Sequence, residues 1–211
     1  MRGMNKNNKR TPGRPREFDL KFAQSAILDE FWYKGYSATS VDDLSKATGM
    51  VKPSLYSAFG NKYAMYQMSI EIYSEMLVQK LQPQIDEANN IRDALEGVFR
   101  ASLDIYCGNK KEPPRGCLFT TSTIAESQNH PEIGAIVKSQ LEMFDVGLKA
   151  CMQRLCPDWT SDKVDYSTWI VSSSLNHLSA LARLGVEREE LEAIVKALID
   201  NVVGDKSLAN A

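Results

Sequence analysis

Along most of the chain, apolar positions recur at three- and four-residue intervals, the period of helices that bury one face. The pattern starts at Phe18, after a polar, basic stretch (residues 1–17) rich in Gly, Pro and Asn that predicts a flexible arm. Phe22, Ala23, Ala26, Ile27, Glu30 and Phe31 share one face of the first helix, and Gly35 is its natural C-terminal stop. Ser40 then opens a short second helix as its N-cap, with Asp43 standing where a capping box prefers Glu; Gly49 ends it. A third helix starts near Lys52 or Pro53, since proline is tolerated in a first turn, and closes at Phe59-Gly60. Asn61 caps a fourth helix of about twenty residues, expected to stop before Pro83.

Downstream the helical period persists. A helix from Asn90 to Cys107 sets Ile91, Leu95, Val98, Phe99 and Tyr106 on one side, and a polar loop with Pro113-Pro114 breaks it. Further helices are expected over 116–127, 131–155, 161–184 and 187–203, making nine. With no alternating strand pattern and no hairpin turn, the fold class is all-α. The expected division is an arm (1–17), a three-helix unit (18–62), a larger helical unit (63–205) and a disordered tail (206–211).

Composition matters only once the chain is divided. The net charge is −2, yet residues 1–62 hold 11 Lys/Arg against 6 Asp/Glu, and the rest holds 14 against 21. A basic first quarter beside an acidic remainder suggests a polyanion-binding module, although a solvated basic tail has the same charge. No apolar run approaches the roughly 18–20 residues that span a bilayer, and there is no apolar signal segment, so a cytoplasmic protein without membrane contact is expected. Cys107, Cys117, Cys151 and Cys156 form no CxxC pair, and His130 and His177 are the only histidines. Neither a disulfide framework nor a metal site is expected, and no cofactor. Nor is there a nucleophile elbow or a phosphate-cradling Gly-rich loop, which argues against an enzyme.

The segment Ser40–Phe59 carries the chemistry. Two short helices joined by a Gly-containing turn, the second presenting Lys52, Ser54 and Ser57, have the form that lays one helix in the roughly 12 Å major groove of B-DNA. Leu55 and Phe59 would face inward and Tyr56 sideways.

Residues 18–66, FDLKF through KYAMY, resemble the DNA-binding domain of the TetR family of bacterial transcriptional regulators. The matching features are Phe31, Gly35-Tyr36, Thr39-Ser40-Val41, Leu44, Gly49, Leu55-Tyr56, Phe59 and Lys62. Farther on, the likeness is in architecture and in the Gly116-Cys117-Leu118 turn. The resemblance implies a nine-helix, dimeric repressor that holds double-stranded operator DNA and is released by a small-molecule effector of unidentified nature. It implies that Thr39, at the entry to the second helix beside Ser40, bonds a phosphate through its hydroxyl, as Tyr56 does from the recognition helix. Lys62 would meet a phosphate with a helix N-terminus behind it, and Lys52, Pro53 and Ser54 would reach bases. Plain alternatives are an aromatic packed in the small domain for Tyr56 and a solvated lysine for Lys62. Val51 departs from the family's small or polar residue; it cannot cap the recognition helix but can pack on a thymine methyl. In the arm, Arg14 and Arg16 around Pro15 suit a narrow A·T-rich minor groove.

The same resemblance places the homodimer interface on the last two helices, for which Trp169, Ser172, Leu175, Leu178, Leu191, Val195 and Leu198 are candidates; intramolecular core is the alternative. Tyr73, Phe99, Leu103, Cys117, Thr120 and Phe144 are candidates for the effector pocket, again with ordinary core as the alternative. Cys117, expected at a helix N-terminus, is also a candidate thiol or electrophile sensor, with Cys107 as resolving partner.

Overall fold

A computed structural model of the chain describes residues 17–108 and 113–204, and every regular element in it is a helix. The short helices α1 (Glu17–Lys34), α2 (Val41–Thr48) and α3 (Lys52–Phe59) come first, and α4 (Lys62–Asp86) leads away from them to α5 (Ile91–Cys107). Leu118–Thr123 then winds as a π-helix and runs straight into a 3-10 turn, Ile124–Glu126; together these make α6. The helices α7 (Pro131–Leu155), α8 (Ser161–Arg183) and α9 (Arg188–Val203) complete nine among the described residues. The arm with Arg14 and Arg16, and the tail, lie outside them.

Local chemistry explains the boundaries. The Ser40 hydroxyl accepts from the Asp43 N–H at 3.1 Å, while the Asp43 carboxylate accepts from the Ser40 N–H at 2.9 Å and its hydroxyl at 2.7 Å. That is a capping box built with Asp. Asn61, Asn90 and Thr160 cap α4, α5 and α8 from one side only, each side-chain oxygen accepting from the N–H three residues on. Gly116 is demanded twice over: its φ is 67°, and a Cβ there would stand 2.6 Å from the Ser179 carbonyl oxygen.

Two expectations need correction. The fourth helix does not stop before Pro83 but runs through it to Asp86. A proline so near the end removes one N–H, that to Gln79, and the Arg154 guanidinium takes up carbonyls beyond it, donating to Ile85 and Ala88. Phe22 lies outside the buried face of α1, at 57% exposure. The buried stripe runs through Ala23, Ile27, Leu28, Phe31 and Trp32, and Phe22 falls on its far side. Trp32 draws the stripe toward the body of the protein, because its indole N–H donates to the Gly116 carbonyl at 3.1 Å.

The core is continuous from end to end. Phe31 meets Tyr66 edge-on at 4.9 Å, Trp32 meets Tyr73 at 4.8 Å, and Tyr73 meets Phe119 at 5.0 Å. Aromatic packing therefore runs from α1 through α4 into α6.

Candidate nucleic-acid interface and the cavity behind it

Only one side chain of α3, Leu55, is fully buried, and Phe59 is partly so. Leu55 joins Leu44 and Phe31 in the core, and that anchor leaves Val51, Lys52, Pro53, Ser54, Tyr56 and Ser57 all exposed. A helix that spends one anchor and displays the rest is suited to a flat, polar partner. Val51 gives α3 no side-chain cap and is 64% exposed. Lys52 pairs with Asp42 at 2.8 Å, but both side chains are solvated, so the pair is readily exchanged for a phosphate or base. Tyr56 is 47% exposed and its phenol makes no hydrogen bond among the described residues.

Around α3 the expected phosphate contacts are placed less simply. Thr39 is buried, and its hydroxyl donates to the Gly35 carbonyl at 2.7 Å. A hydroxyl has one proton, so in this conformation Thr39 holds the turn after α1 and offers no side-chain donor to a phosphate. The exposed Ser40 hydroxyl is likewise engaged with Asp43. Lys62 is the first residue of α4, its ammonium 4.4 Å from the centre of the Tyr36 ring. Partial burial pulls its pKa down, and the nearby Glu126 opposes that.

The helices α1–α3 are fastened to the rest of the chain by residues that no sequence pattern singled out. Glu126, buried at the end of α6, accepts from the Ser37 N–H at 2.8 Å and from the Ser37 hydroxyl. The Tyr66 phenol meets the Thr123 hydroxyl at 2.7 Å, and burial pushes that phenol up to about 12. Arg183 donates to the carbonyls of Trp32, Tyr33 and Arg115, capping the C-terminal end of α1 from α8. Arg115 pairs with Asp29. The only cue available in sequence is charge inside otherwise apolar helical segments, which does not identify a partner.

Behind this junction lies a cavity of about 410 Å³ between α4, α5, α6, α7 and α8. Cys117 and Phe144 line it, as expected. Tyr73, Phe99, Leu103 and Thr120 do not. Tyr73 and Phe99 are fully enclosed core rings, Leu103 faces a separate groove toward α9, and the Thr120 hydroxyl is turned to Ser179 at 3.1 Å. Tyr106, Phe119, Asp145 and Trp169 are lining residues that periodicity did not reveal. Cys117 does not begin a regular α-helix: it precedes the π-helical turn, is buried, and its N–H is taken by the Ser179 hydroxyl at 2.7 Å. Burial pushes the Cys107 thiol up, which disfavours a reactive thiolate there. Among the described residues no group of His, Cys, Asp or Glu could hold a metal ion, and no helix is long and apolar enough to cross a membrane.

Residues 25–67 match the family described as bacterial regulatory proteins, tetR family. The transcriptional repressor ComR of Escherichia coli K12 is 31% identical over 149 residues, covering 70% of this chain and 69% of that protein. The chain belongs to the TetR family. Its members are DNA-binding transcriptional regulators, not enzymes, and this chain is one of them. The repressor BdcR of the same organism is 26% identical across 88% of this chain and 90% of its own. A cysteine mutant of the TetR-family regulator CifR, solved with a 26 bp double-stranded operator DNA, superposes with a TM-score of 0.79 at 25% identity. It covers 89% of this chain and 98% of that one.

Against the TetR architecture, the expected dimer residues separate into two groups. Leu175, Leu178 and Leu191 are buried within the single chain, Val195 nearly so, and none of these can face a partner without unfolding its own core. Ser172 and Leu198 are half-buried, and Ser172 donates to Asp145. Trp169 is 60% exposed and belongs to a solvent-facing stripe of α8 with Tyr166, Ser173, His177, Ala180 and Leu184. Helical spacing alone could not tell these faces apart, because α8 is apolar on both.

Proposed function

We propose that this TetR-family regulator is a repressor that acts as a homodimer and leaves its operator when a small molecule occupies the cavity behind α6. The observation that carries the reading is α3, anchored by Leu55 and otherwise exposed along Lys52, Ser54 and Tyr56. Lys52, Pro53 and Ser54 enter the major groove. Tyr56 and Lys62 take backbone phosphates, Lys62 by leaving the Tyr36 ring. Thr39 and Ser40 act as positioning residues through Gly35 and Asp43, and Arg14 and Arg16 follow the minor groove. Residues 18–62 form the reading head and 63–205 the sensing and dimerising body. The operator-bound CifR structures and the repressor names of ComR and BdcR support the repressor assignment.

The exposed stripe of α8 from Tyr166 to Leu184, with Leu198 and its neighbours on α9, supplies the dimer surface. A C2 pair through it sets two heads about 34–36 Å apart, the spacing of successive major grooves. A thiol-based variant of the signal would run through Cys117, which an electrophile reaches only by entering the cavity. A small-molecule ligand is favoured because Cys117 is buried among apolar walls.

The test is binding of the purified protein to its own upstream intergenic DNA across a salt series, with unrelated DNA as competitor. Tight, competitor-resistant and salt-sensitive binding to a near-palindrome is expected. Indifference to sequence there, together with an empty genome-wide selection of bound fragments, overturns the reading.

A further inference from the structure

We propose that the cavity selects a lipophilic organic cation, of the quaternary ammonium or phosphonium kind, with Asp145 as its counter-charge. This rests on reading the cavity as the effector site. Asp145 is the one charged side chain lining the cavity among the described residues. Among the described residues no cation lies within ion-pair distance of it; Lys149, one turn along α7, is committed to Asp165 at 2.6 Å. The Ser172 hydroxyl donates to the Asp145 carboxylate and so ties it to α8, on the cavity side of α7.

The rest of the wall suits such a ligand. Tyr106, Phe119, Phe144 and Trp169 offer π faces, which attract cations on apolar stems. The Ser102 hydroxyl, buried in the same wall beside the Tyr106 phenol, adds a neutral polar contact. An anionic ligand would face the carboxylate with no positive side chain to compensate. A neutral apolar ligand would strip water from Asp145 and leave the charge unpaired. A cation avoids both costs.

Tetraphenylphosphonium and tetraphenylborate have nearly the same shape and opposite charge, so titrating each into the full-length protein by calorimetry in sodium buffer isolates the sign. The phosphonium should bind tighter on the order of tenfold or more, and Asp145→Asn should erase the preference. Phe144→Ala, at a half-buried position of the wall away from the α8 stripe, serves as a second variant and should weaken phosphonium binding several-fold; undiminished binding there overturns the aromatic part of the proposal. Equal binding, a preference for the borate, or no binding of the phosphonium overturns the proposal. Operator binding measured without either probe keeps the two readings apart. If operator binding holds while the sign preference is missing, only the ligand class falls; if operator binding itself fails, the regulator reading falls.

Discussion

The junction between head and body stands on Glu126, and its strength can be tested directly. Its carboxylate accepts two hydrogen bonds from Ser37, through the N–H at 2.8 Å and through the hydroxyl, while only 7% of the residue is exposed. A hydrogen bond to a charged acceptor contributes about 1.5–3 kcal/mol. Ser37 is itself exposed, so solvent competes and the lower end applies to each bond. Glu126→Ala should therefore cost about 2–3 kcal/mol. Ser37→Ala removes only the hydroxyl bond, and a double-mutant cycle between the two positions should show a coupling of about 1 kcal/mol. Urea unfolding followed by circular dichroism measures both, at one fixed protein concentration because the stability of the proposed dimer would depend on it. A loss below about 0.5 kcal/mol for Glu126→Ala, or single effects that add within about 0.5 kcal/mol, would refute the clasp. An unchanged m-value with a lowered midpoint is the expected form of the result.

Four other outcomes follow from the head. Lys52→Ala should leave stability within about 0.5 kcal/mol, since its pair with Asp42 is solvated, yet lower operator affinity by about 1–3 kcal/mol and relax base preference at the position it reads. Tyr56→Phe should weaken operator binding roughly tenfold, one hydrogen bond's worth, without moving the melting temperature, because the phenol makes no bond among the described residues. Leu55→Ala should cost about 3 kcal/mol, read as a drop of roughly 6–12 °C in Tm, and operator binding should go with it because α3 has no other fully buried anchor. Asp43 titrates with a sign that can be worked out. The Ser40 hydroxyl and N–H, then Lys34, hold its carboxyl well below the usual carboxylate range. A lowered folded-state pKa means the capping box stabilises above the ordinary Asp pKa and is lost only as the pH falls through the folded value. NMR titration of Asp43 should thus lag behind a model Asp in acid, and Ser40→Ala should bring it back toward the ordinary range.

What the sequence revealed, and what it hid, follows from the range of the interactions involved. The caps at Ser40, Asn61 and Asn90 and the stops at Gly35 and Gly49 depend on neighbours within four residues, so local spacing finds them. The position of Leu55 under α3 follows from the same short period. Pro83 was misread because its tolerance depends on Arg154, distant in sequence. Phe22 was misread because Trp32, answering to Gly116 from 84 residues away, turned the buried face of α1. The cavity was the least visible feature. Tyr73, Phe99, Leu103, Phe119 and Tyr106 are all apolar residues at helical spacing, and only the crossing of five helices decides which of them face empty space. Asp145 carries no signal in the sequence, because only the packing of α8 brings Ser172 and Trp169 to the same cavity.

Placed together, these long-range contacts give α6 two ends with different duties. Cys117 and Phe119, at or just before its start, form cavity wall; Thr123 and Glu126, at its close, hold Tyr66 of α4 and the loop after α1. Between them the chain is wound as a π-helix, a rare form that packs less well than an α-helix and is found at functional sites. A ligand in the proposed effector cavity would touch Phe119 and so the π-wound segment itself. Rewinding six residues from π to α would lengthen the segment and turn its last side chains about the axis, and so would move Glu126 relative to Ser37. The clasp and the cavity are therefore opposite ends of one element, and loosening either end should be felt at the other. That gives the Glu126–Ser37 cycle a second reading: its coupling energy should fall when the cavity is occupied, and a coupling indifferent to occupancy would place the relay elsewhere.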